Sequence, residues 1–129
     1  MNCLSFDVGG TTIKYGVINN RYEVIHKDKI PTPKDEEKFI ESLSEIIHKN
    51  INKISKVSVG MPGYVNVASN KYLYGPHLPF EIDFSKLSNF SDYEFYLDND
   101  GNVAAYCEYF LNYRNKYSNL IMLTFGTGV

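Results

Sequence analysis

The sequence predicts one α/β domain in which a three-stranded antiparallel meander precedes alternating helix and strand. Turn residues at 9–10 and 19–21 divide the first part of the chain into short β-branched segments. An apolar repeat of helical period begins near residue 33, and short β-branched segments return at 56–60 and 94–98. This order predicts helices packed against a mixed sheet.

The meander strands are expected at residues 4–8, 13–18 and 22–30. The helix after them is expected over about 33–50, with Thr32 as its N-cap and proline at its first position. Threonine is favoured as an N-cap because its hydroxyl accepts a hydrogen bond from a free backbone N–H of the first turn. Proline is favoured at the first position because it has no N–H that needs an acceptor.

The second half of the chain alternates less regularly. Weak periodicity at residues 64–92 predicts loops and short strands, and residues 120–124 are expected to form a last buried strand. A helix is expected from near Gly101, with a single apolar face made of Val103, Ala104, Cys107, Phe110 and Leu111. No repeat or linker is visible, so residues 1–129 are interpreted as one domain.

Composition narrows the function classes. The chain is 43% hydrophobic and 22% charged, which is typical of a folded globular domain. Its net charge of −2 comes without a basic cluster, so no nucleic-acid partner is expected. No signal peptide or long apolar segment is present, which predicts a cytoplasmic protein without a membrane partner. Cys3 and Cys107 are interpreted as two buried thiols, and no zinc site is expected in this chain.

The first glycine turn, with the sequence DVGGTT at residues 7–12, is a candidate phosphate site. Glycines let backbone amides approach an anion, and Asp7 ends the strand beside them. The segment is neither a Walker loop nor a dinucleotide fingerprint, because both of those open a helix. A plain hairpin explains this segment equally well when it is taken alone.

Two further segments are candidates for chemistry. Residues 124–128 repeat the pattern of a strand followed by a glycine turn, which can hold a second phosphate. Asn99 and Asp100 stand where a strand ends and a helix begins, the usual ligand position in open α/β sheets. A carboxylate there can accept a hydroxyl proton. Taken alone, Asp100 fits a helix N-cap better, and Asn99 and Asn102 also suit a turn.

Residues 7–14, 59–66, 99–105 and 123–129 together resemble the ROK (repressor, ORF, kinase) family of sugar kinases in content, order and spacing. Four ordered matches over nearly the whole chain are far more specific than a lone glycine motif. The resemblance implies the actin-like ATPase fold, which is ribonuclease H-like, with two domains that close on ATP and a hexose.

The resemblance also implies roles for individual residues. Asp100 matches the catalytic base that takes the proton from the sugar hydroxyl. Asn99 and Gly63 match the sugar pocket, as does His77, where the family commonly has asparagine. Asp7 matches the acid that contacts Mg²⁺ through water. The residues that match the two ATP phosphate turns are Gly9, Gly10, Thr11, Thr12, Gly126, Thr127 and Gly128.

The family continues after the second phosphate turn into a C-terminal domain that carries the adenosine pocket. By this resemblance residues 1–129 correspond to the N-terminal domain, which is expected to be inactive alone and homo-oligomeric in the full-length protein. The implied substrate is a hexose or N-acetylhexosamine. A ROK sugar-sensing regulator and a noncatalytic sugar-binding module are the alternatives, and the regulator is disfavoured because only six residues precede Asp7, too few for a helix-turn-helix.

Overall fold

The computed structural model describes residues 1–125. Within these residues, the meander and helix α1 come first and a second group of strands follows. The elements are β1 (Asn2–Val8), β2 (Thr12–Ile18), β3 (Val24–Pro31), α1 (Glu36–Asn50), β4 (Ile54–Met61), β5 (Tyr64–Asn66), β6 (Lys71–Tyr74), β7 (Ile82–Asp83), β8 (Glu94–Asn99) and α2 (Asp100–Glu108). A π-helical segment, Tyr109–Tyr113, continues α2.

The main sheet has the strand order β3-β2-β1-β4-β8. The β1–β2 and β2–β3 pairs are antiparallel, whereas β1–β4 and β4–β8 are parallel. The predicted α/β class with an N-terminal meander is therefore confirmed. Because β1, β4 and β8 run in the same direction, the residues that follow them meet at one edge of the sheet. The region expected to hold loops and short strands forms a separate sheet of order β5-β6-β7.

The core lies between α1 and one face of the main sheet. Alternate residues of β1 point into it, as the side-chain period of a strand requires, and the helix contributes residues at helical spacing. Fully removing such a side chain from water stabilises the fold by about 1.5–3 kcal/mol. The residues of β1 and α1 in this core are Leu4, Phe6, Val8, Phe39, Leu43, Ile46 and Ile47.

Helix α1 begins later than the sequence predicts, and its expected cap is wrong. The N-cap is Asp35, whose Oδ1 accepts the amide of Lys38 at 2.8 Å. Thr32 cannot cap the helix, because its own N–H donates to the Thr11 carbonyl at 2.9 Å and its hydroxyl donates to Gly9. Pro33 consequently lies before the helix and not at its first position.

Helix α2 forms where the sequence predicts it, but it buries none of its residues within the described structure. Val103 and Leu111, on the predicted apolar face, are exposed. The expected strand at 120–124 is wrong, since these residues form no strand and Ile121 is 91% exposed. A strand needs a hydrogen-bonding neighbour, and no strand of residues 1–125 pairs with this segment.

The two cysteines are free thiols, and Cys107 on α2 is exposed, so the expectation of two buried thiols is wrong for that residue. Cys3 is partly buried beside the Ser5 and Ser58 hydroxyls. Of the helices in residues 1–125, none combines the length and apolar character needed to cross a membrane.

Candidate active site

The first glycine turn is tight because two of its residues cannot carry a side chain without displacement of their neighbours. Gly9 donates its N–H to the Thr12 carbonyl at 2.9 Å. A Cβ on Gly9 would lie 2.9 Å from that carbonyl oxygen, and a Cβ on Gly10 would lie 2.9 Å from the Cβ of His77. Glycine is therefore required here by close approach, and His77 packs against the first glycine turn.

The connection between β3 and α1 holds this turn through three consecutive carbonyls. The Thr32 hydroxyl donates to the Gly9 carbonyl at 2.7 Å and the Thr32 N–H donates to the Thr11 carbonyl at 2.9 Å. The Lys34 ammonium donates to the Gly10 carbonyl at 2.9 Å. Sequence reasoning missed both residues, since contacts across 23 and 24 residues leave no local pattern and Thr32-Pro33 resembles a helix start.

Asn99 joins the end of β8 to the turn after β4. Its Oδ1 accepts the amides of Gly101 at 2.9 Å and Asn102 at 3.3 Å, so Asn99 is the N-cap of α2. Its Nδ2 donates to the Gly63 carbonyl at 2.9 Å. The alternative in which Asp100 is the cap is wrong, because Asp100 is the first residue of the helix itself.

A cavity of about 450 Å³ opens between the first glycine turn, the Asn99–Asp100 segment and the loops that carry Pro62 and His77. The exposed residue Asp100 and His77 both line it together with the first glycine turn. Six residues predicted for the site therefore meet, and Pro62 joins them. The lining residues are Gly9, Gly10, Thr11, Pro62, His77, Asn99 and Asp100.

A wider groove of about 1120 Å³ lies on the face of the sheet opposite α1, and Asp100 lines it as well. Asp7 and Asp98 face this groove, because Asp7 pairs with Gly60 and Gly60 pairs with Asp98 across β1, β4 and β8. Asp98 accepts the Nδ2 of Asn102 at 3.1 Å. Sequence reasoning did not single out Asp98, although the strand segment expected at 94–98 places this residue at the end of a strand.

The carboxylates near the first glycine turn suit a magnesium ion that takes most of its ligands from phosphate and water. Mg²⁺ is usually bound through one or two carboxylates, with phosphate and water oxygens completing its shell. Asp7 is an exposed residue two positions before Gly9 of the first glycine turn, which fits this pattern. Residues 1–125 contain no group of three or more His, Cys, Asp or Glu side chains that could hold a metal by themselves.

The remaining predicted residues lie at or beyond the edge of this arrangement. Thr12 is the first residue of β2. Gly63 lines neither cavity, but it is bound by Asn99, and a Cβ there would collide with the Tyr74 carbonyl oxygen. The second phosphate turn, Gly126, Thr127 and Gly128, lies outside the described residues.

The sequence model of the ROK family matches residues 3–129. The chain belongs to the ROK family. Among curated relatives, a glucokinase from Streptomyces coelicolor is 26% identical over 130 residues, with 98% of this chain and 41% of the relative covered. An N-acetylmannosamine kinase from Haemophilus influenzae is 28% identical over 134 residues, with 100% of this chain and 44% of the relative covered. This ROK chain thus spans less than half the length of these relatives.

Solved ROK structures share the fold. A ROK hexokinase from Thermus thermophilus matches with a TM-score of 0.71 and 28% identity, over 86% of this chain and 39% of that one. A Streptomyces griseus ROK glucokinase, solved with glucose and AMPPNP, matches with a TM-score of 0.72 and 24% identity, over 84% and 36%. A ROK transcriptional regulator homologous to the E. coli MLC protein has a TM-score of 0.74 at 16% identity, over 88% and 32%. The predicted actin-like ATPase fold is confirmed.

Proposed function

We propose that the full-length protein transfers the γ-phosphate of ATP to a hydroxyl of a hexose or N-acetylhexosamine, with Asp100 as the general base. The observation that carries this proposal is the shared cavity, in which the Asp100 carboxylate and the first glycine turn line the same 450 Å³. Phosphoryl transfer depends mainly on positioning and on stabilisation of charge, so a base and a phosphate cradle on one cavity are its essential parts.

The glycine turn supplies the phosphate contacts in this proposal. Gly10 and Thr11 have backbone N–H groups with no acceptor among residues 1–125, and both residues line the cavity. Successive free amides in a turn form a concavity that binds anions, and they stabilise charge on a transferring phosphoryl group without reorganisation. Gly126, Thr127 and Gly128 are proposed to hold the second phosphate position.

The Asn99–Asp100 segment supplies the sugar side. Asp100 accepts the proton of the attacking hydroxyl, since an exposed carboxylate at a helix start is available to a ligand in the cavity. Asn99 and Gly63 fix the backbone beside it through their hydrogen bond of 2.9 Å, and His77, which packs against Gly10 and lines the cavity, is proposed to contact the sugar. Asp7 would hold Mg²⁺ through water, and the ion would neutralise charge on the phosphate oxygens.

The test is Asp100→Asn in the full-length protein. We expect the turnover number with ATP to fall by about 10²–10⁴-fold, which is the usual contribution of a positioned base. Sugar affinity, measured by calorimetry with glucose and N-acetylmannosamine, should change little because the amide has the same shape. Asp92→Asn, at an exposed carboxylate away from both cavities, is the matched control. An Asp100→Asn enzyme with normal turnover would refute the base assignment.

Sugar binding without transfer is the second candidate, as in a regulator or a noncatalytic module. It is supported by the ROK regulator that shares this fold with a TM-score of 0.74. Calorimetry of the wild-type full-length protein against the same sugars, with ATP consumption measured in parallel, separates the two functions. Binding of a sugar without consumption of ATP would favour the sensor.

A further inference from the structure

We propose that Thr32 and Lys34 are positioning residues that hold the first glycine turn in the shape that binds phosphate. These two residues are called the carbonyl clamp below. This proposal depends on the proposed function in one respect, namely that the anion bound by the turn is the phosphate chain of ATP. Neither residue appears in the lining of the cavity, so the clamp acts through Gly9, Gly10 and Thr11.

Thr32 is the buried half of the clamp. Its side chain is only 3% exposed, and a hydroxyl at that depth requires a hydrogen-bond partner. Thr32 satisfies two carbonyls at once, with its hydroxyl on Gly9 at 2.7 Å and its N–H on Thr11 at 2.9 Å. The residue thus spans the glycine turn and ties it to the connection before α1.

Lys34 is the exposed half. Its ammonium donates to the Gly10 carbonyl at 2.9 Å, between the two carbonyls that Thr32 binds. A hydrogen bond from a charged donor is stronger than a neutral one, and it polarises the peptide group that receives it. The N–H of that peptide belongs to Thr11, so Lys34 makes the Thr11 amide a better donor.

Peptide geometry turns these carbonyl contacts into an anion site. In a planar trans peptide, the C=O of one residue and the N–H of the next point in opposite directions. The Gly9 and Gly10 carbonyls point toward the β3–α1 connection, where Thr32 and Lys34 donate to them. The N–H groups of Gly10 and Thr11 therefore point away from that connection. Those two amides belong to residues that line the cavity, and neither N–H donates a hydrogen bond to an acceptor within residues 1–125.

The test compares Thr32→Val, which keeps the shape and removes the hydroxyl, with Thr32→Ser, which keeps the hydroxyl. In the full-length protein we expect Thr32→Val to raise KM for ATP about tenfold, with KM for the sugar unchanged, because the partly buried Gly9 carbonyl loses its donor. Thr32→Ser should restore KM for ATP to within about threefold. A general loss of folding would not be selective for ATP, and an unchanged KM for ATP in Thr32→Val overturns the clamp.

Lys34→Met keeps the proposal testable if Thr32→Val fails to fold, since Lys34 is exposed. Its matched control is Lys38→Met, at an exposed lysine in the first turn of α1. The probe is inorganic triphosphate added to this chain, followed by NMR of the Gly10 and Thr11 amides. We expect both amides to shift in the wild type and in Lys38→Met, with affinity several-fold weaker in Lys34→Met. Equal weakening in both lysine variants, or no binding by the wild type, overturns the clamp.

The two proposals fail separately. If the clamp variants weaken triphosphate binding while the wild-type full-length protein transfers no phosphate, the kinase function is wrong and the clamp stands. If the wild type transfers phosphate and Thr32→Val keeps a normal KM for ATP, the clamp is wrong and the kinase function stands.

Discussion

The two α-helices within residues 1–125 differ both in apolar pattern and in surroundings, because α1 gathers its apolar residues on one face and α2 does so only weakly. Helix α1 buries Phe39 and Leu43 completely against the main sheet, whereas no residue of α2 is buried. The exposure continues after α2, where Phe125 is 82% exposed. Burial of a helix thus requires both a well-defined apolar face and a second surface that covers it.

The sheet itself explains part of this difference. Its α1 side is packed with large apolar side chains, while its other side remains an open groove of about 1120 Å³ whose floor includes Ser5, Gly16 and Ser58. Burial stabilises a contact in proportion to the apolar area removed from water, and the open groove leaves the apolar surface that lines it in contact with water. Helix α2 therefore stands at the groove without a packed core beneath it.

The largest expected effect tests this contrast directly through two leucines. Leu43→Ala should lower the free energy of unfolding by about 2–5 kcal/mol, because it opens a cavity in the core. Leu111→Ala is the matched control in the segment after α2, where the side chain is 52% exposed, and it should change the free energy by less than about 1 kcal/mol. Urea unfolding of this chain measures both, and equal losses would remove the distinction between the two regions.

An intermediate effect is expected at the start of α1. Asp35→Ala removes the side chain that accepts the Lys38 amide, so the free energy of unfolding should fall by about 1 kcal/mol. Asp35→Asn should retain most of the stability, because asparagine caps helices about as well. Thermal unfolding followed by circular dichroism measures both variants. A loss in Asp35→Asn as large as that in Asp35→Ala would argue against the capping role.

The smallest effect concerns pH and the Glu36 carboxylate at the start of α1. The hydrogen bond from the Lys86 ammonium, at 2.7 Å, and then the Asp83 N–H hold the pKa of Glu36 below its usual value of 4.5. A carboxyl group with a lowered pKa stabilises the fold above its unfolded pKa, and this contribution is lost as pH falls through the folded value. Glu36→Gln should therefore flatten the fall in stability below about pH 4.5.

The control for this pH effect is Glu45→Gln. Glu45 pairs with Lys49 at 3.3 Å, but both side chains are about two-thirds exposed, at 66% and 69%. Exposed pairs of this kind contribute little, so its stability profile should follow that of the wild type. Melting temperatures measured between neutral pH and pH 3 compare the two variants. A wild-type profile in Glu36→Gln would contradict the contribution of Glu36.

Sequence reasoning predicted the α/β class, the meander, α1 and the positions of β4 and β8, because each has a local period or turn. It also named the first glycine turn and Asp100 as candidates, and the structure brings them to one edge of the sheet, since strand ends in a parallel arrangement meet there. It did not find the contacts of Thr32 and Lys34, which depend on side chains reaching distant carbonyls. It also expected burial of α2 and of residues 120–124, since periodicity reveals an apolar face and not what covers it.

The parallel strand order β1-β4-β8 sets the distance between the two parts of the proposed site. The glycine turn follows β1 and Asp100 follows β8, so two strand intervals separate them, each of about 4.8 Å. The separation of roughly 10 Å between the glycine turn and Asp100 is thus set by backbone hydrogen bonds, which side-chain substitutions leave unchanged. Any chain with this strand order inherits the same spacing. Under the proposed function, selection among sugars is therefore assigned to the loops at the sheet edge that carry Gly63 and His77, since their side chains do not set the strand spacing.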